Sequence, residues 1–170
     1  MARARTGGTP ATVALTRAGV PHTLHPYEHD PGSTHYGDEA ATALGLDPAR
    51  IAKTLLVDLG GELVVAVVPV AAQLDLKALA AALGAKRAVL ADPAAATRST
   101  GYVLGGISPF GQRTPLPTVV DASLADLPSV FVSAGKRGLQ VELAPADLVT
   151  VTSARLAAVS TPGRTGGQRP

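Results

Sequence analysis

The residues best suited to chemistry lie in one stretch, Ser99-Thr100-Gly101-Tyr102-Val103-Leu104-Gly105-Gly106-Ile107-Ser108-Pro109-Phe110-Gly111-Gln112. Four glycines and a proline fall between Gly101 and Gly111, beside Ser and Thr hydroxyls. Glycine lets backbone amides approach a ligand without a Cβ in the way, and it accepts positive φ where a turn needs it. Such a loop can cradle a phosphate or an ester carbonyl. The same spacing also suits a pair of turns closing a hairpin. Lys53 is the second candidate. It stands at the mouth of an apolar strand, Thr54-Leu55-Leu56-Val57, where a lone ammonium is costly unless exposed or paired. An edge lysine reaching water is one reading, and a deliberately placed charge is the other. Tyr27 and Tyr36 are two of only five Phe and Tyr residues, and both sit in polar, loop-like sequence suited to stacking on a base.

Other chemistries fail on inspection. Gly106 and Gly111 have P-loop spacing, but Gln112-Arg113 replaces the Lys-Ser/Thr pair that would hold phosphate and magnesium. No G-x-S-x-G elbow supports a serine hydrolase. The chain has no cysteine, hence no disulfide, thiolate ligand or cysteine nucleophile. His22, His25, His29 and His35 cluster, but Pro26 and Pro31 break any helix that could align them, and no H-E-x-x-H occurs. No metal and no cofactor are expected.

The elements that must position these residues follow from local signals. Thr9-Pro10 is a cap-plus-proline helix start, and Gly19 and Pro21 end that helix. His22 to Glu28 reads as extended. Asp38 to Leu44 reads as a short helix closed by Gly45, and Asp47-Pro48 opens a further turn reaching Ala52. Thr54 to Leu59 and Glu62 to Val68 form a hairpin about Gly60-Gly61. Asp75 caps a helix with Leu76, Leu79, Ala80 and Leu83 on one face, stopped by Gly84. Arg87 to Leu90 is a strand, and Asp92, acting as an N-cap, opens a helical turn to Arg98. Thr118 to Val120, Val130 to Ser133, Leu139 to Leu143 and Arg155 to Val159 read as strands, and Pro145 to Val149 as a helical turn. Short strands and helices without regular βαβ alternation indicate an α+β fold. Residues 9–160 form one domain, and residues 1–8 and 161–170 read as disordered tails.

With 170 residues, 46% hydrophobic and a mean hydropathy of +0.23, the chain can bury one real core. Aromatics are only 3%, so Ala, Val and Leu must do the packing. The net charge is +2, but Arg3, Arg5, Arg164 and Arg169 lie in the tails. Setting them aside leaves 11 basic against 13 acidic residues, a body of −2. A broad nucleic-acid-coating surface is excluded, DNA is not an expected partner, and any RNA contact should be local, through Lys86-Arg87, Arg98, Arg113 and Lys136-Arg137. No apolar run approaches the roughly 20 residues of a membrane span, and the N-terminus lacks the apolar core of a secretory signal. A cytoplasmic protein without a membrane partner is the expectation.

Taken in order, Tyr27-Glu28-His29-Asp30, Gly37-Asp38-Glu39-Ala40, Lys53-Thr54-Leu55-Leu56-Val57, Ala91-Asp92-Pro93, the glycine loop and Ser133-Ala134-Gly135-Lys136-Arg137-Gly138 closely resemble the YbaK/EbsC family. The resemblance spans about Thr9 to Val159. These proteins are relatives of the editing domain inserted in prolyl-tRNA synthetase. The resemblance implies a mixed, partly closed, barrel-like β-sheet flanked by helices. It implies hydrolysis of mischarged aminoacyl-tRNA, with cysteinyl-tRNA(Pro) the leading substrate and prolyl-tRNA synthetase a possible partner. The implied route is substrate-assisted, the cysteine thiol attacking its own carbonyl. Lys53 takes the position of the family's essential lysine, to bind the terminal phosphate or polarise the ester. Lys53 and the backbone around Gly101 are then the catalytic candidates. Tyr27, Tyr36, Thr54, Gly105, Gly106, Ser108, Pro109, Ser133 and Gly135 are the substrate-binding ones, with the tyrosines against the terminal adenine. Ala134 departs from the family's Ser-Gly-Gly turn and must take negative φ if the turn is unstrained. The alternatives are an alanyl-tRNA(Pro) deacylase and a non-catalytic module that binds tRNA, nucleotide or synthetase.

Overall fold

The computed structural model describes residues 8–162, and the expected disordered tails lie almost wholly outside that range. Helix α1 (Pro10–Arg17) begins as its sequence requires. The Thr9 hydroxyl accepts from the Thr12 N–H, and the Thr12 hydroxyl accepts from the Thr9 N–H in return. The chain continues through β1 (Thr23–Pro26), α2 (Tyr36–Leu44), a 3₁₀ turn (Pro48–Arg50), β2 (Ala52–Asp58), β3 (Leu63–Pro69), β4 (Ala72–Leu74) and α3 (Leu76–Ala82). Next come β5 (Val89–Leu90), α4 (Pro93–Thr100), β6 (Thr118–Asp121) and a second 3₁₀ turn (Ala122–Asp126). The last elements are β7 (Val130–Lys136), β8 (Leu139–Leu143), α5 (Pro145–Thr152), β9 (Arg155–Ala157) and β10 (Ser160–Pro162).

The fold is α+β, with mixed pairing. A five-stranded sheet runs β5-β2-β3-β6-β9, antiparallel at β2–β3 and parallel at β3–β6 and β6–β9. A three-stranded sheet runs β1-β8-β7, and β4 pairs with β10. The strands thus divide among separate sheets, and among the described residues no closed barrel forms. A single parallel bridge, Ile51 to Phe131, links the start of β2 to β7.

Strand alternation explains the packing. β3 is buried on both faces: Val65 and Val67 enter the larger core, with Leu15, Phe110, Val132 and Leu148. Val64, Ala66 and Val68 enter a second core, with Val57, Val119 and Leu79 of α3. Ala40, Ala41, Ile51 and Phe131 form a third cluster, which seats α2 against the junction between the two larger sheets.

Several elements depart from expectation. α2 starts at Tyr36 rather than Asp38, and the preceding His35 makes no side-chain cap bond. β5 and β9 are shorter than the apolar runs suggested. The β4–β10 pair was not anticipated, and it carries order to Pro162. Ala134 is buried within β7 with ordinary φ. Gly135 supplies the positive value, +108°, at the irregularity in the β7–β8 register.

Candidate functional site

The N-terminal end of β2 emerges beside α2 and the glycine loop, and a cavity of about 410 Å³ opens between them. Lys53, Thr54, Tyr36, Gly105, Ser133 and Gln140 are among the residues lining it. Alternation sends Lys53 to the face of Leu55 and Val57, and Thr54 to the face of Ala52 and Leu56. Both reach the cavity, which therefore wraps the strand end.

Lys53 is half-buried and makes no hydrogen bond or ion pair among the described residues. Desolvation pushes its pKa below 10.5, and the Asp38 carboxylate pulls the other way. A cation is thus held ready at the wall without a committed partner. Two further polar atoms share this condition. Thr54 Oγ1 and Gln140 Oε1 are both buried and have no hydrogen-bond partner. Buried polar groups are normally satisfied, so orphans on a cavity wall are consistent with a polar ligand. Gln140 lies opposite Ser133 across the β7–β8 ladder, and the Ser133 hydroxyl accepts from the Gly135 N–H at 3.1 Å.

The wall carrying Tyr36 is built by close backbone approach. Gly105 has φ +82°, and a Cβ there would sit 2.6 Å from the Tyr36 ring, so only glycine lets the loop lie on the aromatic. Gly106 lies equally tight against the Lys136–Arg137 backbone. Glu39 anchors the segment leading into α2. Its carboxylate accepts from the Asp30 N–H at 2.6 Å and meets His29 Nδ1 at 2.8 Å, and those two bonds hold its pKa below the usual value.

The sequence candidates therefore separate. Lys53, Thr54, Tyr36, Gly105 and Ser133 come together around the cavity, although more than 50 residues separate the lysine from the loop. Tyr27 packs on the Ile51–Phe131 cluster behind that wall. Burial pushes its phenol up, partly offset by the Gly138 backbone and the Gln140 side chain, while Glu39 raises it further. Gly135 faces Thr9 and Tyr102. The remaining candidates do not line the cavity. Gly101 is the left-handed C-cap of α4, exposed and against Arg113. Gly106 is buried under the β7–β8 turn. Ser108 is fully buried, its hydroxyl accepting from the Phe110 N–H. Pro109 lines a separate cavity with Phe110 and Leu116. The second half of the loop thus serves its own closure, reinforced by the Tyr102 hydroxyl donating to the Phe110 carbonyl at 2.6 Å. Burial pushes that phenol up to about 12.

Gln140, His35 and Asp38 line the cavity but are not among the site residues nominated from sequence, where His35 figures only in the histidine cluster and Asp38 only in the motif that opens α2. In Leu139 to Leu143, Gln140 and Glu142 alternate with apolar residues and read as a solvent face. The other histidines are engaged elsewhere. His22 bonds the Val20 carbonyl, His25 meets Glu142 and His29 meets Glu39. Among the described residues no group of three or more His, Asp or Glu is placed to hold a metal. No helix there is long and apolar enough to cross a membrane.

Residues 30–151 match the profile of a family described as "Aminoacyl-tRNA editing domain". An Enterococcus faecalis protein, "Putative Cys-tRNA(Pro)/Cys-tRNA(Cys) deacylase EbsC", is 38% identical over 138 residues, 79% of this chain and 84% of that protein. The Bacillus subtilis protein YwhH, of uncharacterised function, is 32% identical over 112 residues, 65% of this chain and 71% of its own length. Among solved structures, a "putative trans-editing enzyme for prolyl tRNA synthetase" superposes with a TM-score of 0.79 at 27% identity, covering 89% of this chain and 95% of that one. A hypothetical protein superposes with a TM-score of 0.80, also at 27% identity, over 89% and 99% of the two chains.

Proposed function

Because this chain belongs to the aminoacyl-tRNA editing domain family, we propose that this editing deacylase clears cysteine mischarged onto proline tRNA, using the substrate's own thiol as nucleophile. One observation carries the reading: the chemistry of the cavity wall. Among the described residues it offers an unpaired ammonium, the hydroxyls of Thr34, Thr54 and Ser133, the Tyr36 phenol and an amide oxygen, but no activated nucleophile. Thr54 Oγ1 has no partner, and Ser133 Oγ is engaged with a backbone amide. None of these hydroxyls is bonded to the side chain of His35 or Asp38, the imidazole and carboxylate nearby. A protein that supplies charge and shape but no attacking group suits a substrate that brings its own.

In this mechanism the cysteine thiol ionises and its sulfur attacks the adjacent ester carbonyl. A C–S bond forms and the carbonyl oxygen becomes an oxyanion, which Lys53 and backbone amides near Gly105 stabilise. The C–O bond to the ribose then breaks, and the proton lost by the thiol ends on the departing ribose hydroxyl. The four-membered thiolactone opens in water to free cysteine. Thr54, Ser133 and Gln140 orient the aminoacyl group, and Tyr36 shapes the adenosine end. Prolyl-tRNA synthetase, which makes the error, is the partner we assign for handing over the tRNA.

The test is deacylation of Cys-, Ser-, Ala- and Pro-tRNA(Pro) under single turnover with enzyme in excess. Serine is nearly isosteric with cysteine but far less nucleophilic at neutral pH. Cys-tRNA(Pro) should react at least about tenfold faster than Ser-tRNA(Pro), roughly 1.4 kcal/mol in the barrier. Equal rates would point to an activated water. Faster release of alanine would transfer the assignment to Ala-tRNA(Pro).

A further inference from the structure

Arg137 occupies the turn between β7 and β8, and it is exposed but not loose. Its guanidinium carbon lies 4.9 Å from the centroid of the Tyr36 ring, and its Nε donates to the Leu104 carbonyl at 2.7 Å. Tyr36 and Leu104 both line the cavity, so the guanidinium is fastened to the rim at two points. Its terminal nitrogens make no hydrogen bond among the described residues, and no carboxylate pairs with it. The segments outside the described range contain no Asp or Glu. Lys136 beside it is also exposed and makes no side-chain hydrogen bond or ion pair among the described residues.

An exposed arginine ordinarily samples many rotamers, and holding it still costs free energy that a binding partner must offset. Here the stack on Tyr36 and the carbonyl bond have already fixed the plane. What remains is a charged fork whose terminal N–H donors are uncommitted, the donor set that matches a phosphate. Resting on the editing reading above, we infer that Arg137 is the phosphate-holding residue for the last nucleotide of the tRNA. The substrate chemistry supports this division of labour. The aminoacyl ester sits on one side of the terminal ribose, and that nucleotide's 5′-phosphate is attached on the other. An ester placed at Lys53 inside the cavity leaves the phosphate at the rim. Lys53 then serves the carbonyl and Arg137 the phosphate, with Lys136 adding a second charge.

The probe is a pair of non-hydrolysable analogues, 3′-cysteinylamino-3′-deoxyadenosine with and without a 5′-phosphate, whose affinities for the full chain are measured by calorimetry. The ratio of the two affinities is the readout. The wild-type protein should prefer the phosphorylated analogue by tenfold or more. Arg137→Ala should bring the ratio to near unity, and Arg137→Lys should keep an intermediate value, because an ammonium retains charge without the fork. A purely structural role for Arg137 would weaken both analogues together and leave the ratio unchanged, which overturns the assignment. So does a wild-type protein that shows no preference or binds neither analogue. Ester hydrolysis by the wild-type protein is followed in parallel. A phosphate preference that depends on Arg137, without hydrolysis, would refute the editing reaction alone. Hydrolysis with a ratio insensitive to Arg137 would refute this inference alone.

Discussion

Replacing Lys53 with methionine separates its chemistry from its contribution to stability. The side chain stays unbranched and flexible, one atom shorter, but loses its charge. Burial lowers the lysine pKa, so the folded state holds this proton less tightly than the unfolded chain does. Below the depressed value both states carry the proton, and the folded state bears the cost of desolvating it without an ion pair. Stability should rise only as pH climbs through the window between the depressed value and 10.5. Lys53→Met should therefore melt no lower than wild type at neutral pH. Catalysis should move the other way. Losing one preorganised donor to a developing oxyanion costs about 100- to 1000-fold, or about 2.7–4 kcal/mol. The assay is single-turnover release of labelled cysteine from Cys-tRNA(Pro), with melting temperatures measured on the same samples. A Lys53→Met protein that releases cysteine within threefold of the wild-type rate would refute the role given to this ammonium. A large drop in melting temperature would refute the stability argument.

Gly105→Ala should lower both stability and deacylation, because the new Cβ meets the Tyr36 ring at 2.6 Å and the backbone already has φ +82°. The strain alone is about 1–2 kcal/mol. Gly45→Ala has φ +67° but no neighbour within 4 Å, so it should lower the melting temperature without slowing deacylation. Asp121 is buried, and burial would raise its pKa. Bonds from the Ser123 hydroxyl and amide, the Val159 N–H and the Ser160 hydroxyl outweigh that and lower it below 3.8. Its stabilisation is present above 3.8 and fades as pH falls through the depressed folded value. Asp121→Asn should cost about 1.5–3 kcal/mol at pH 7. It should also blunt the acid-side fall in melting temperature, and an unchanged acid profile would count against this account.

Local features were legible from sequence because their causes lie within a few residues. Thr9, Asp75 and Asp92 each accept from an amide three positions on, and Gly45 closes α2 in the left-handed conformation. Gly60-Gly61 turns β2 into β3, and the Asp58 carboxylate accepts from both their amides. The order of motifs from Tyr27 to Gly138 also sufficed to identify the family. The three-residue strands β4 and β10 were not legible. β4 and β10 pair across more than 80 positions, and neither has the length to show a period.

The site divides along the same line. Residue types along the chain were enough to nominate Lys53, Tyr36 and the glycine loop. They could not decide which half of that loop meets the lysine, because glycine spacing records backbone freedom and not direction. Packing decided it: Tyr36 receives Gly105, while Tyr102 draws the Ser108 to Phe110 segment into the core. Gln140 is the clearest case. In sequence it is one polar residue in an alternating strand, a pattern that describes any half-exposed sheet. Only the placement of β8 beside β7, with α2 across from both, turns its amide into a buried, unpartnered group on the cavity wall.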